Sequence, residues 1–163
     1  MFSPIDYIGI STNLPTDIKF FKEELFSTSR FIKDNQPKIK KIISISIDSK
    51  IISTKIINTS KKVSNDGQKL SGKKLLVELN INYKIKYLST NKEKCLYILK
   101  HNITKIIYIV IPSEVDNKTI EEIIRKKRMG IKTYIEDLYA DIRDNEEIYI
   151  RNLILVNVFI KNK

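Results

Sequence analysis

Between Leu75 and Tyr87 every odd position is apolar, while Glu78, Asn80, Asn82, Lys84 and Lys86 occupy even ones. Period-two alternation sends one residue set to each face of a strand, whereas a helix would scatter the same residues around its circumference. The stretch is therefore expected to be a long strand with one buried and one solvated face. Other strands are the natural cover for its apolar side.

The same pattern recurs elsewhere. Ile43, Ile45 and Ile47 alternate with Ser44, Ser46 and Asp48 over residues 39–48, and a second run covers 51–59. With Ser49-Lys50 as a turn, the two read as a hairpin. Residues 61–72 form a polar loop whose turn signal is Asn65-Asp66-Gly67. Residues 95–101 and 103–111 read as two strands with a bulge or bend at Asn102, and Pro112 stops the second. Residues 146–160 place Ile148, Ile150, Ile154, Val156, Val158 and Ile160 on one face. Leu153, Leu155 and Phe159 make the other face partly apolar, so this strand is expected at a sheet centre. Residues 20–32 read as a helix or a strand, with strand preferred, and Pro37 ends the segment. Residues 1–21, with Pro4, Gly9 and Pro15, read as an N-terminal arm or edge strand ahead of one domain over 22–163.

Two segments depart from period two. Over 118–129, Ile120, Ile123 and Ile124 fall at helical spacing, and Asn117 or Thr119 can cap. Glu121 and Glu122 suit the start, four basic residues suit the end, and Gly130 is expected to stop the helix. Over 131–142, Ile131, Tyr134, Ile135, Leu138, Tyr139 and Ile142 fit a helical face well and strand alternation only partly. The fold class is mainly β: an antiparallel sandwich or partly open barrel with one short helix.

Composition narrows the function. A length of 163 residues without a Pro/Gly/Ser-rich linker suits one domain, and 42% hydrophobic residues suffice for a core. The Ile, Lys and Asn excess fits an AT-rich genome, so part of the lysine content reflects codon usage. The net charge of +11 suits a polyanion partner, with Arg125, Lys126, Lys127 and Arg128 as the densest basic cluster. The lysines are spread along the chain, however, and a solvated surface is the preferred reading. Cys95 is alone, so no intramolecular disulfide or cysteine metal site is expected. It reads as a buried small hydrophobe, with an intermolecular disulfide as the minority alternative. The first residues lack a secretory signal pattern, and the apolar run Ile106–Ile111 is too short to span a bilayer.

Candidate chemistry is sparse. His101 is the only histidine and lies in an apolar strand, which suggests a packed side chain rather than a catalytic base. Glu136 and Asp137 can in principle pair as acid and base or ligate calcium, but the loop spacing of a calcium site is missing. Salt bridges to nearby lysines are the simpler expectation. No phosphate loop, zinc spacing or nucleotide fingerprint appears, so no cofactor or metal is expected. The tyrosines mostly follow the core-facing period, which argues against a stacking platform for nucleic acid.

The stretch GQKLSGKKLLVELNINYKIKYL resembles the central signature of the SPOCS domain of spore coat and spore morphogenesis proteins. Its residues are Gly67, Leu70, Gly72, Leu75, Val77, Lys84, Ile85 and Tyr87. Ile109–Pro112 resembles the family's apolar stretch ending in proline, and Tyr134–Asp137 its Tyr-Ile-Glu-Asp segment. Pro37 before an Ile-rich hairpin is similar as well. The likeness covers roughly residues 22–160 and implies a mostly antiparallel β domain. On that basis 131–142 becomes a strand, against its periodicity. It also implies a non-enzymatic spore-surface protein of the coat, exosporium or appendage. Such a protein is made in the mother cell, and its partners are itself and other spore proteins, met through sheet edges or the N-terminal arm. The chain departs from the family at Leu79, where glycine is common, in its loose match around Cys95–His101, and in having neither a second copy nor a LysM module.

Overall fold

A computed structural model describes residues 4–63, 65, 67, 69–90 and 96–161; Cys95 and Asp66 lie outside the described residues. In chain order the elements are β1 (Asp6–Ile8), β2 (Phe20–Phe31), β3 (Ile39–Asn58), β4 (Lys62–Val63), β5 (Lys69–Leu70) and β6 (Lys73–Ser89). They continue as β7 (Leu96–Val110), β8 (Glu114–Val115), β9 (Lys118–Thr119), α1 (Ile120–Arg125), β10 (Met129–Arg143) and β11 (Glu147–Ile160). The first sheet has the order β1-β3-β6-β7 and the second β10-β11-β2, with two small ribbons, β4-β5 and β8-β9. Neither main sheet closes into a barrel, and they stack as a sandwich. β3 lies opposite β10, and β7 opposite β2. The β6–β11 pair occupies the centre, where Tyr83 meets Asn152.

The alternating stretch behaves as its pattern dictates. Leu75, Val77, Leu79, Ile81, Tyr83, Ile85 and Tyr87 are all buried in the core that the two sheets share. β11 is the middle strand of its sheet, and its even positions from Ile148 to Val158 are buried. Residues 20–31 form the preferred strand.

Several boundaries differ from the sequence expectation. Ser49 and Lys50 do not turn the chain. β3 runs unbroken for 20 residues, with Ser49 opposite Ile81 and Lys50 opposite Asn80. The backbone groups along β6's long edge need a partner throughout, and a continuous β3 supplies it. Asn102 likewise causes no bend: it sits opposite Asn82 in a ladder between β6 and β7 that has no register shift. The irregularities lie in β3 instead, where the pairing skips Lys40, Ile43 and Ile52. An extra residue reverses which parity faces inward. Ile39 and Ile42 are therefore buried along with Ile45 and Ile47, while Ile43 is only half-buried. The polar loop after β3 contains the β4-β5 ribbon.

The helix is shorter than expected, six residues capped by the Thr119 side chain, which accepts from the Glu122 amide. Ile120 and Ile123 are its buried residues. Gly130 does not end it. The chain turns out of the helix at Lys127 (φ 54°), and Gly130 lies in β10. A Cβ at Gly130 would come within 2.4 Å of the Phe159 ring, so that ring packs where a side chain would stand. Residues 131–142 form a strand, as the family resemblance implies and the periodicity does not.

The N-terminal segment is part of the sandwich. β1 pairs in parallel with β3, Asp6 opposite Ser44. Gly9 follows with φ 102°, and a Cβ there would lie 2.1 Å from the Ile47 carbonyl oxygen, so only glycine fits. Ser11 then reaches the second sheet: its amide donates to Ile135 O at 2.7 Å, and its hydroxyl accepts from the Ile135 amide at 3.0 Å. The Tyr7 hydroxyl accepts from the Ala140 amide at 3.2 Å. Residues 6–11 thus lace the β3 side of one sheet to the β10 side of the other.

Candidate functional site

The polar groups with chemical potential gather in a seam between the sheets. Tyr83 belongs to the inward set of β6, is 2% exposed, and donates through its hydroxyl to Asn152 Oδ1 at 2.5 Å. Asn152 is fully buried on the inward side of β11, and its Nδ2 has no partner. The Tyr83 ring stacks on His101 of β7 with centroids 5.8 Å apart. His101 Nε2 shares a hydrogen bond of 2.8 Å with Thr28 Oγ1 of β2. Burial pushes the Tyr83 hydroxyl well above its usual range. Burial, helped by the Arg30 guanidinium, pulls His101 below its ordinary value of 6.5. The imidazole is therefore neutral at pH 7. The arrangement ties four strands together but presents no activated nucleophile, and among the described residues no carboxylate orients the imidazole. It is best understood as a clamp that fixes how the two sheets sit on each other.

The acidic pair does not form a site. Glu136 is the extra residue in β10 at the shift between Ile135 and Asp137. Its Oε2 is buried without a hydrogen-bond partner, and burial, with Glu23 nearby, raises its pKa. Asp137 is exposed. Among the described residues neither makes a salt bridge to lysine, contrary to the simpler expectation. Among those residues, too, no three His, Cys, Asp or Glu side chains gather as a metal group. Among the described residues no helix is long and apolar enough to cross a membrane.

The basic cluster is divided rather than focused. Lys126 Nζ pairs with Glu122 at 2.6 Å, and Arg128 Nε donates to the Lys161 carbonyl at 3.2 Å. Arg125 and Lys127 are exposed. A different basic feature, which the sequence reading overlooked, lies on the outer face of the first sheet. There Lys84 stands directly opposite Lys100 in the β6–β7 ladder. Like charges placed opposite each other repel.

The signature residues are dispersed through the molecule. Gly67 and Gly72 hold φ values of 85° and 81° at the turns leading into β6, and a Cβ at Gly72 would lie 2.9 Å from the Thr59 carbonyl oxygen. Leu70 is half-buried on β5, while Leu75, Val77 and Tyr87 are in the core. The Tyr87 hydroxyl donates to the Pro37 carbonyl at 3.1 Å. Pro112 is half-buried just after β7, and Tyr134 is half-buried on β10. These positions support turns and packing, and they converge on no pocket.

What the sandwich does present is open edges. β7 and β2 end their sheets on the same side of the molecule, and among the described residues no strand pairs with the far edge of either. β7 is 15 residues long and exposes Ile98, Ile106 and Tyr108 by 51%, 61% and 58%. Unpaired backbone along a long apolar edge is a template for another strand.

The fold and these surfaces define a β-sandwich with unpaired edges on β2 and β7 among the described residues. No family model matches the chain, and neither the curated proteins nor the solved structures hold a match to it.

Proposed function

We propose that the protein is a non-enzymatic structural component that associates with itself or with other proteins through its sheet edges. The observation that carries this reading is the 15-residue free edge of β7 with its exposed apolar side chains. The dispersed signature residues and the neutral, carboxylate-free His101 seam support it. The resemblance of residues 67–87 and 134–137 to the SPOCS signature supports the spore surface as its setting, with production in the mother cell. Because residues 6–11 are engaged by the chain's own sheets, the edges rather than the N-terminal arm are the proposed means of contact.

A second reading, binding of an anionic polymer, is favoured by the opposed Lys84–Lys100 pair and the charge of +11. Salt separates the two readings. Copies of a +11 chain repel, so added salt should strengthen edge-to-edge association and weaken polymer binding. Sedimentation and negative-stain microscopy across a concentration series are expected to show assembly that grows with salt. A wild-type protein that stays monomeric at roughly millimolar concentration, with or without salt, would remove self-association from this reading.

A further inference from the structure

The geometry points to a specific partner for the β7 edge: the β7 edge of a second copy, paired antiparallel about a twofold axis at Ile103. This inference rests on the structural reading above and deepens it.

The sequence of the outward face of β7 is self-complementary. Leu96 and Ile98 lie at one end, and Ile106, Tyr108 and Val110 at the other. Lys100, Asn102 and Thr104 lie between them. Turned around and centred on Ile103, Leu96 faces Val110 of the second copy, and Ile98 faces its Tyr108. Asn102 faces its Thr104, and Lys100 faces its Ile106. Apolar meets apolar in the Leu96–Val110 and Ile98–Tyr108 rows and polar meets polar in the Asn102–Thr104 row, while Lys100 opposite Ile106 is the one mixed row. Cross-strand pairs of these kinds are the unit of sheet stabilisation. The two copies' Lys100 residues end up six positions apart along the new ladder, roughly 20 Å at the strand rise. Charge is also matched one strand further in. Glu78 pairs with Ile106 in the β6–β7 ladder, so the second copy's Glu78 falls in the same row as Lys100. Within one copy Lys100 has only Lys84 beside it in its row.

The other edges are guarded or broken: β3, which β1 covers only at Ser44–Ser46, has its ladder interrupted at Ile52 and carries Lys50 and Lys55 on the uncovered part. β2 carries Lys22, Glu24 and Arg30 on its inward parity, and inward charges on an edge strand oppose pairing. β10 has its bulge at Glu136, and its edge is occupied at Ile135 and Ala140 by the N-terminal segment. β1 is three residues long. β7 has no bulge in its ladder, and Lys105 is the one formal charge on its inward parity. Only isologous pairing uses the same edge on both partners, which makes a closed dimer with one continuous sheet.

The test uses the full chain with Cys95→Ser. Two variants, Asn102→Cys and Thr104→Cys, are purified separately, and one of them carries a mass tag. Directly opposite residues in an antiparallel pair lie about 4.5–5.5 Å apart at Cα, within disulfide reach, whereas diagonal ones lie about 7–8 Å apart. Mixing the two variants under mild oxidation should give the mixed covalent dimer, and each variant alone should give little. In parallel, Ile98→Lys/Tyr108→Lys changes only exposed side chains and should weaken dimerisation about tenfold or more. Assembly of that variant at wild-type strength, or equal cross-linking in the mixed and single samples, overturns the β7 register while leaving assembly through another edge standing. A wild-type protein that is monomeric throughout overturns both this register and self-association.

Discussion

Tyr83 and Asn152 meet where neither can reach water, so each depends on the other. Tyr83→Phe leaves the Asn152 oxygen as well as its Nδ2 without a partner, and the expected loss is about 1–3 kcal/mol in denaturant unfolding. Adding Asn152→Leu should recover much of that loss, because removing both partners leaves no orphan. Full additivity of the two single losses would show that the hydrogen bond carries no weight. Part of this seam was legible in the sequence. Asn152 interrupts an apolar face between Ile150 and Ile154, and His101 falls on the inward parity of its strand. Each interruption signals a buried polar group in need of company. The identity of the companion was not legible, because Tyr83 and Asn152 are 69 residues apart and only the stacking of the sheets brings them together.

β10 shows why period alone misled over residues 131–142. Before the bulge the inward residues are odd, ending with buried Ile135; after Glu136 they are even, Leu138, Ala140 and Ile142. One phase change makes Ile131, Ile135, Leu138 and Ile142 fall at helix-like intervals. β3 hides its own parity in the same way, since its skipped residues make Ile39, Ile42 and Ile45 recur every third position. β6 and β11 have no such shift in their own alternation and were read correctly from the pattern. The bulge also has a titration signature. The folded chain raises the Glu136 pKa above its ordinary 4.5, so the folded state holds a proton that the unfolded state has released. Stability should therefore fall as pH rises from about 4.5 through the raised folded value, and stay lowered above it. In Glu136→Gln that part of the pH dependence should vanish, with equal or higher stability at neutral pH by thermal unfolding. An unchanged slope would mean that the carboxylate is better solvated than its burial implies.

At the scale of the whole molecule, the sandwich is laced on one side by residues 6–11 and joined on the other by the Thr28–His101 hydrogen bond, where the far edges of β2 and β7 have no strand partner among the described residues. Ile5 and Tyr7 pack against the core, and Ser11 satisfies both backbone groups of Ile135. Deleting residues 1–11 exposes the β3 edge and strips those partners, so a loss of roughly 3 kcal/mol or more is expected by urea denaturation. If the truncated protein melts like the full chain, the segment is only draped on the surface. The sandwich class was readable because alternating strands dominate the chain. The parallel seat of β1 was not, since three residues carry too little pattern to name a partner.

The lacing by Ser11 and Tyr7 also sets a clock on biosynthesis. Their hydrogen-bond partners lie 124 and 133 residues downstream, so this segment is synthesised long before the strand that houses it. At about 5–20 residues per second, the nascent chain waits on the order of ten seconds with its amino-terminal apolar groups unhoused.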